Sequence, residues 1–451
     1  METDRRQPSI IVAIVDEGVK YTHPDLAYNM WVNKDELNGA ANSDNDGNGY
    51  KNDVHGYNFA TNSSDLTWSV SHYDNKGKYD GDSGHGTHVA GTVAAVNNNG
   101  KGVCGVAGGT GSNDGVKLMS CQIFSGGKGG TISTSVRAIK YAADNGASII
   151  QCSWGYPTQS PFTSDSYYER NYAAEKEAID YFVSKKNNDV LDGGLAIFAA
   201  GNDATNFASY PGGYRSYVSV TSFGPDYLPA YYTNYGPGCN VAAPGGDAYI
   251  SPSGSSAAQV LSTLPSELPA ELGTDGADYG YMQGTSMACP HVSGVAALGL
   301  SYALAKGRHY TVDEFKSMLL TAVNDIDSYI IGGTKNGMVL RNYRKNMGTG
   351  SIDAYQLLIE GTPCLPAKVG VQQVLSLDKF FGQASANLTY KSAEMSQADM
   401  DKLGITAAPA FSYGKLQIKC TKPGVAKIKI KAMAGSSSAN GEMSGMEITK
   451  E

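Results

Sequence analysis

The chain has 451 residues, of which 41% are hydrophobic and 17% are charged, and its formal net charge is -8. This length is enough for more than one ordinary domain and for a large buried core. The acidic balance, with no Lys/Arg cluster in the first two thirds, argues against a nucleic-acid-binding protein. The longest apolar run near the start, residues 10–15, is too short for a transmembrane segment or for the apolar region of a signal peptide, so the sequence predicts neither.

Apolar runs alternate with helix-like segments in the first two thirds of the chain. Strands are predicted at 10–15, 116–124, 147–152, 195–199, 217–222 and 240–243, and several are continuous apolar runs, typical of strands covered on both faces. Helices are predicted at 88–96, 133–144, 168–184, 286–305 and 312–322. The alternation predicts an α/β domain with a parallel sheet, in which functional residues collect where strands end and helices begin.

The composition changes after about residue 358. No arginine follows Arg344, and the turn-rich segment 361–366 (GTPCLP) has the composition of a linker. Segments 415–420 and 426–432 alternate apolar residues with lysine, which predicts a β-hairpin with one solvated face. The sequence therefore predicts a larger domain over residues 1–360 and a small β-rich C-terminal domain over 366–451. Because the chain ends in the strand-like segment 445–450, we expect this small domain to be truncated.

Three short segments carry residue types suited to nucleophilic catalysis. Strand 12–15 ends at Asp16, and a glycine two residues later permits a sharp turn, although such an aspartate is more often a turn or cap residue. Segment 84–92 (GHGTHVAGT) surrounds His85 and His88 with small residues; a zinc pair or a capping histidine is the alternative, but the spacing is not that of H-E-x-x-H. Segment 284–294 (GTSMACPHVSG) places Ser286 at the start of a helix, where a simple N-cap is the alternative.

Together these segments (D-x-G, H-G-T-H-V-A-G-T and G-T-S-M-A-x-P-H-V-S-G) resemble the three signature segments of subtilisin-like serine proteases, in the Asp…His…Ser order of that family. An α/β-hydrolase would need the order Ser…Asp…His, and a chymotrypsin-like enzyme would need an all-β chain. The resemblance implies a three-layer α/β/α sandwich with a mostly parallel sheet, followed here by the small β-rich domain. It also implies a serine endopeptidase that forms an acyl-enzyme, with Ser286 as nucleophile, His85 as general base and Asp16 orienting the histidine.

The same resemblance assigns two further parts of the site. Asn202, which follows the small residues of a predicted strand, matches the side-chain donor of the family's oxyanion hole, with the backbone N–H of Ser286 as its partner. Ser153, Trp154 and Gly155 match the exposed edge that pairs with an extended peptide, although an ordinary turn at a strand exit is the alternative. Trp154 is larger than the residue usual there, which leaves the size of the neighbouring subsites open.

A polar loop presents oxygen ligands at alternate positions. Asp44, Asp46, Asn48 and Asp53 form a calcium-like pattern that lacks the twelfth-position glutamate of an EF-hand, and many subtilisin-like enzymes hold calcium in surface loops. A loop rich in Asx turns without a metal is the alternative. The sequence thus predicts no cofactor for the chemistry and a structural Ca²⁺ at this loop.

Two further residues next to the motifs carry groups that could be reactive or charged, and only the first of them departs from the family pattern. Glu17 stands where a small or polar residue is usual, and a negative charge near the cleft would favour basic residues in the peptide. Cys289 lies three residues after Ser286, but no second base lies beside it in the sequence, which favours a buried packing role over thiol chemistry.

The family resemblance also implies protein or peptide substrates, a monomer, and export to an extracellular, periplasmic or cell-surface location, with a propeptide that is not recognised in this chain. Two alternatives remain from the residues: a catalytically silent binding protein on the same fold, and a serine esterase without peptidase activity.

Overall fold

The computed structural model describes residues 10–158, 164–250, 254–274, 276–358, 365–435 and 445–450. Within these ranges the strands are β1 (Ile11–Glu17), β2 (Gly56–Asn58), β3 (Lys117–Ser125), β4 (Lys128–Gly129), β5 (Ile149–Cys152), β6 (Leu195–Ala199), β7 (Val218–Phe223), β8 (Val241–Pro244), β9 (Val260–Thr263), β10 (Tyr279–Met282), β11 (Val323–Asn324), β12 (Thr334–Lys335), β13 (Met338–Val339), β14 (Ser351–Ile352), β15 (Gln373–Leu375), β16 (Leu388–Glu394), β17 (Ala410–Ser412), β18 (Lys415–Ile418), β19 (Lys429–Ala434) and β20 (Met446–Lys450). The α-helices in the same ranges are α1 (Lys34–Asn38), α2 (His85–Ala94), α3 (Ile132–Asp144), α4 (Asp165–Asn171), α5 (Ala173–Ser184), α6 (Thr285–Ala305), α7 (Val312–Thr321), α8 (Ala354–Leu358), α9 (Asp378–Phe381) and α10 (Gln397–Leu403).

A central sheet has the order β11-β14-β8-β7-β6-β5-β1-β3-β2, with β4 paired to β3. Its pairs are parallel except β11 with β14 and β3 with β4. The six predicted strands all lie in this sheet. Strands β5, β6 and β7 are buried at every residue, because both faces of the sheet are covered by helices.

Helices cover the sheet on two sides. One hydrophobic core joins α2, α6 and α7 to one face of the sheet, and a second joins α3 and α5 to the other face. The three-layer α/β/α sandwich with a mostly parallel sheet, as predicted, is therefore confirmed.

The predicted helix 168–184 is two helices. Helix α4 begins after the N-cap Ser164, whose hydroxyl accepts the N–H of Tyr167, and α5 follows after Tyr172, whose backbone has left the helical region (φ -123°, ψ 28°). The ring of Tyr172 packs against those of Tyr156 and Tyr168. Packing of this side chain therefore interrupts a segment whose apolar periodicity alone favours one continuous helix.

Helix α6 carries Pro290 in its interior rather than in its first turn. Proline has no N–H, so the carbonyl of Ser286 loses its partner four residues on. The hydroxyl of Ser153 donates to that carbonyl instead, at 2.7 Å. Among the described helices, only α6 is long and apolar enough to cross a membrane, and 72% of its apolar window is buried inside the protein.

The C-terminal part consists of two small antiparallel sheets, β15-β18-β17 and β16-β19-β20. The predicted hairpin of segments 415–420 and 426–432 is wrong, because β18 pairs with β15 and β17 whereas β19 pairs with β16 and β20. The alternation correctly identified strands with one buried face, but it carries no information about which strands pair.

These C-terminal sheets share the core of the larger domain. Phe381, Leu388, Ile430 and Ile448 belong to the same hydrophobic cluster as β1, α2 and α6, and the N–H of Thr449 donates to a serine hydroxyl on α7. The domain boundary at 360–366 stays a prediction, and residues 361–364 of the predicted linker lie outside the described residues.

Candidate active site

The carboxyl ends of three neighbouring strands carry the predicted catalytic residues. Asp16 is near the end of β1, Ser153 follows β5 and Asn202 lies shortly after β6, and these strands are adjacent in the sheet. His85 and Ser286 lie at the starts of α2 and α6, which pack against each other over this edge. Strand ends and helix starts thus converge, as a doubly wound sheet requires.

Asp16 and His85 form a direct hydrogen-bonded pair. The pairing of β1 with β3 shifts register between Asp16 and Glu17, a bulge that turns the end of the strand. Asp16 is 1% exposed, and its Oδ1 accepts hydrogen bonds from His85 Nδ1 and from the N–H of Glu17, both at 2.7 Å. Burial opposes the charged imidazolium, but the Asp16 carboxylate and its hydrogen bond outweigh this and raise the pKa of His85 to about 9.

Ser286 is the second residue of α6 and exchanges hydrogen bonds with Ser153. The hydroxyl of Ser286 donates to the carbonyl of Ser153 at 3.1 Å, and the hydroxyl of Ser153 donates to the carbonyl of Ser286. In this arrangement the proton of the Ser286 hydroxyl therefore points to the strand end rather than to His85. Catalytic hydrogen bonds are often unmade in ligand-free enzymes and form only with substrate bound.

A buried network of hydrogen bonds supports the pair of Ser153 and Ser286. Gln151, fully buried in β5, donates through Nε2 to the Ser153 hydroxyl at 2.7 Å. Its Oε1 accepts from the hydroxyl of Ser293 (2.5 Å) and the thiol of Cys289 (3.1 Å) on α6. Burial raises the pKa of Cys289, so this thiol is held as a neutral packing group. Sequence reasoning missed Gln151, although a glutamine inside an apolar strand is the signal that points to it.

Asn202 is exposed and its amide is fixed by Thr285. Its Oδ1 accepts both the N–H and the hydroxyl of Thr285, each at 2.9 Å, which leaves Nδ2 directed away from Thr285. Gly284, with φ 152°, lies beside it: a Cβ there would sit 3.5 Å from the N of Ser286 and 3.6 Å from Asn202 Nδ2. The N–H of Ser286 and the Nδ2 of Asn202 therefore both border the space that a side chain at residue 284 would occupy.

The segment of Ser153, Trp154 and Gly155 leaves β5 beside these residues. Trp154 does not extend into solvent: its Nε1 donates to the carbonyl of Val15 at 2.9 Å, and its ring packs edge-on against Phe198. The indole thus ties this segment to β1 one residue before Asp16. Gly155 is exposed and Trp154 is partly exposed, and the pairing of this segment with a peptide stays a prediction.

His88 has a separate, structural position. It is fully buried, and its Nε2 bonds to the carbonyls of Val260 (3.0 Å) and Gly280 (3.2 Å) in the β9–β10 hairpin. Burial lowers the pKa of His88 to about 3, so the ring is neutral and donates to these carbonyls. His88 holds the hairpin on α2 rather than pairing with His85 at a zinc site.

Glu17 points to the backbone that precedes and begins α2. Its carboxylate accepts the N–H of His85 (2.8 Å) and the N–H and hydroxyl of Ser83. Burial raises the pKa of Glu17 to about 7. The expected preference for basic peptide residues stays a prediction, but the oxygens of this carboxylate are already engaged by the protein.

The predicted calcium ligands lie in one loop but do not all converge. Oxygens of Asp44 and Asp46 lie with an oxygen of Glu36 within 4.8 Å of one another. Asp53 is buried and accepts the hydroxyl of Tyr141 at 2.5 Å, while the Asn48 amide bridges Asp46 and Asp53. Glu36, on α1, was missed because it precedes the loop and belongs to no spacing pattern within it.

The chain belongs to the subtilase family, whose sequence model matches residues 7–350. Among its relatives are halolysin of Haloferax mediterranei, 32% identical over 300 residues (66% of this chain, 43% of the relative), and a thermophilic serine proteinase of Bacillus sp. strain AK1, 30% identical over 287 residues (64% and 51%). The chain spans about half or less of the length of these curated relatives.

Two solved structures have the same fold. A protease of Pseudoalteromonas arctica matches with a TM-score of 0.53 and 28% identity over 78% of this chain and 90% of its own. A lanthipeptide protease matches with a TM-score of 0.51 and 22% identity over 77% and 88%, which shows the fold alone.

Proposed function

We propose that the protein is a serine endopeptidase in which Ser286, His85 and Asp16 form the catalytic triad. The observation that carries this proposal is the hydrogen bond from His85 Nδ1 to the buried carboxylate of Asp16, formed beside the helix start that presents Ser286. It holds the proton on Nδ1 and leaves Nε2 of the neutral ring as the acceptor a general base needs. The family's serine proteinases support the same reaction class.

In the proposed mechanism a bound peptide displaces the Ser286 hydroxyl from the Ser153 carbonyl. The hydroxyl turns to His85, which takes its proton as Oγ attacks the peptide carbonyl. His85 then protonates the leaving amine, and the acyl-enzyme is hydrolysed when His85 activates a water molecule. Asp16 keeps the ring oriented and stabilises the imidazolium in each step.

The developing oxyanion is stabilised by Asn202 Nδ2 and the N–H of Ser286. Support comes from the donor arrangement: Thr285 takes up the carbonyl of the Asn202 amide, and the N–H of Ser286, in the first turn of α6, has no carbonyl one turn earlier within the helix. The positive end of the α6 dipole adds to this stabilisation.

Replacing Asn202 with alanine should lower kcat by about 10²–10³-fold with little change in KM, because the donor acts on charge that exists only in the transition state. Steady-state kinetics on a peptide p-nitroanilide measure both constants. Asn206→Ala changes an exposed asparagine further along the same connection between β6 and β7 and serves as control. A loss confined to KM would contradict the oxyanion role.

We also propose that Ser153, Trp154 and Gly155 bind the peptide by main-chain pairing. The exit of β5 lies beside Ser286, and the side chains of Ser153 and Trp154 are engaged inside the protein. Recognition at this segment therefore uses backbone groups, which tolerate many substrate side chains.

The test of the proposed activity is a fluorophosphonate probe applied to wild type and Ser286→Ala, with casein and peptide amides as substrates. Labelling and cleavage that disappear in the variant support the endopeptidase. Labelling with ester hydrolysis but no amide cleavage would replace it with an esterase. A folded wild type that neither labels nor cleaves would indicate a silent binding protein.

We further propose that the loop at residues 44–53 holds a structural Ca²⁺. The residues fit the ion, because the donors are hard carboxylate oxygens and three like charges within 4.8 Å favour a cation between them. Glu36, Asp44 and Asp46 would hold the ion, with Asn48 and Asp53 at the rim. The ion would stabilise the loop and take no part in the chemistry.

Removing calcium with EGTA should lower the melting temperature of the wild type, and Asp46→Asn should abolish most of this difference. Binding at 100 times Kd would stabilise the fold by about 2.7 kcal/mol, enough to resolve by calorimetry. Asp35→Asn changes an exposed carboxylate on the same helix as Glu36 and should keep the calcium response. Equal melting temperatures of the wild type with calcium and with EGTA would contradict the site.

We propose that the protein acts outside the cytoplasm. The support is a relative from Natrialba magadii, named a halolysin-like extracellular serine protease, that is 30% identical over 292 residues. A monomeric state and a separate propeptide stay predictions.

A further inference from the structure

Helix α2, which begins with the proposed general base His85, has no capping side chain of its own. Its N-cap residue is Gly84, in the left-handed conformation (φ 75°). A Cβ at this position would lie 2.7 Å from Pro265 and 2.9 Å from Leu268, so a side chain there would displace these neighbours and strain the left-handed backbone. The first N–H groups of the helix must therefore find acceptors elsewhere.

Glu17 supplies the acceptor from a different element. Its Oε2 accepts the N–H of His85 at 2.8 Å and the N–H of Ser83 at 3.0 Å, and its Oε1 accepts the Ser83 hydroxyl at 3.1 Å. A carboxylate at this place also opposes the positive end of the helix dipole.

Two consecutive residues of β1 thus hold two different parts of one histidine. Asp16 bonds the imidazole and Glu17 bonds the backbone amide. The register shift between these residues lets both side chains reach the same helix start, whereas consecutive residues of a regular strand point to opposite faces.

We propose that Glu17 is a positioning residue for His85, which clamps its main chain while Asp16 clamps its ring. This inference rests on the proposed role of His85 as general base. It differs from a substrate-facing role for Glu17, in which the carboxylate would bind basic peptide residues.

The charge of Glu17 also acts on the ring. The titratable groups that face Glu17 are Asp16 on its own strand, Asp82 and Tyr79 in the loop before α2, and His85. Asp82 is buried and its oxygens accept the N–H groups of Val70 and Gly126, so it does not compete for the start of α2. Burial raises the pKa of Glu17 to about 7, and above that pH its negative charge raises the pKa of His85.

The test measures the rate of fluorophosphonate labelling against pH for wild type, Glu17→Gln and Glu17→Ala. The rate rises as His85 loses its proton. Removing the charge should move this rise to lower pH by roughly half a unit. Glu17→Ala, which also loses the clamp, should lower the plateau at high pH by about tenfold, since misplacing a catalytic group by a fraction of an ångström carries such a cost.

Glu314→Gln is the matched control. Glu314 is also a carboxylate that accepts a backbone N–H and a hydroxyl at a helix start, those of Thr311, but it lies within α7, the helix that it caps. This variant should change the melting temperature without moving the pH profile. A merely structural role for Glu17 predicts the same behaviour for Glu17→Gln.

An NMR titration that follows the ring N–H of His85 measures the pKa of His85 without requiring catalysis. A lower midpoint in Glu17→Gln supports the action of the Glu17 charge on His85 even if the wild type is not labelled, an outcome that would refute the proposed function alone. Unchanged profiles and midpoints in both Glu17 variants, folded by near-ultraviolet circular dichroism, would overturn the inference. Loss of a preference for basic peptides with an unchanged profile would overturn it in favour of the substrate-facing role.

Discussion

Replacing Ser286 with alanine should lower kcat on a peptide amide by about 10⁶-fold, the size that removal of the nucleophile has in triad proteases. The proposed reaction runs through a bond between Ser286 Oγ and the acyl group, which alanine cannot form. KM should change little, because the proposed peptide binding uses backbone groups that the substitution leaves in place. Steady-state kinetics, with an inhibitor titration to exclude wild-type contamination, measure the loss.

The triad should behave as a unit. His85→Ala should cost about as much as Ser286→Ala, and the double variant about as much as either one, since neither residue works without the other. Ser301→Ala, further along the same helix, is the control and should retain full activity. Additive losses in the double variant, or turnover by Ser286→Ala near that of the wild type, would refute the assignment.

Replacing Asp16 with asparagine should lower kcat by about 10⁴-fold. The amide can keep the geometry, but it no longer requires the proton of His85 to lie on Nδ1, so Nε2 is no longer held as an acceptor. Because the Asp16 carboxylate raises the pKa of His85 to about 9, the loss should be largest at and above that pH, where the wild type has a neutral base. Kinetics across the pH range of the wild-type profile would measure it.

Asp82→Asn is the appropriate comparison for Asp16→Asn. Asp82 is an equally buried carboxylate next to α2, but its partners are the backbone amides of Val70 and Gly126. This variant should lose stability and keep kcat within about tenfold of the wild type. Equal losses in both variants would show that burial of charge, rather than the bond to His85, is what matters.

Sequence reasoning predicted the central sheet well, because strands covered on both faces are continuous apolar runs with few competing interpretations. The limits of β6 match the predicted segment 195–199, and those of β1 differ by at most two residues. The sequence predicted the helix break and the strand partners less well. The interruption at Tyr172 depends on packing with Tyr156, and the separation of β18 from β19 depends on partners distant in the sequence.

The candidate site shows the same division. Short motifs placed Asp16, His85, Ser286 and Asn202 at the converging strand and helix ends. Sequence reasoning missed the supporting residue Gln151 and expected a different role for Glu17, because the contacts of both residues are with groups far away in the chain. Gln151 meets Ser293 only when β5 packs under α6, and Glu17 meets the amide of His85 only because Gly84 leaves the helix start without a cap.

The hydrophobic core shared by the C-terminal sheets and the larger domain affects how well the folded chain would resist proteolysis by other copies of itself. An endopeptidase cuts chains that open, so the fraction of time in which a segment is unfolded sets how fast neighbouring copies destroy it. Strand β20 is tied to α7, and its Ile448 is buried in the cluster that also contains α6. Strand β20 therefore cannot open without exposing apolar surface, so local opening there costs more than the fraying of an exposed strand. In the proposed endopeptidase, a C-terminal part packed in this way would slow digestion by neighbouring copies.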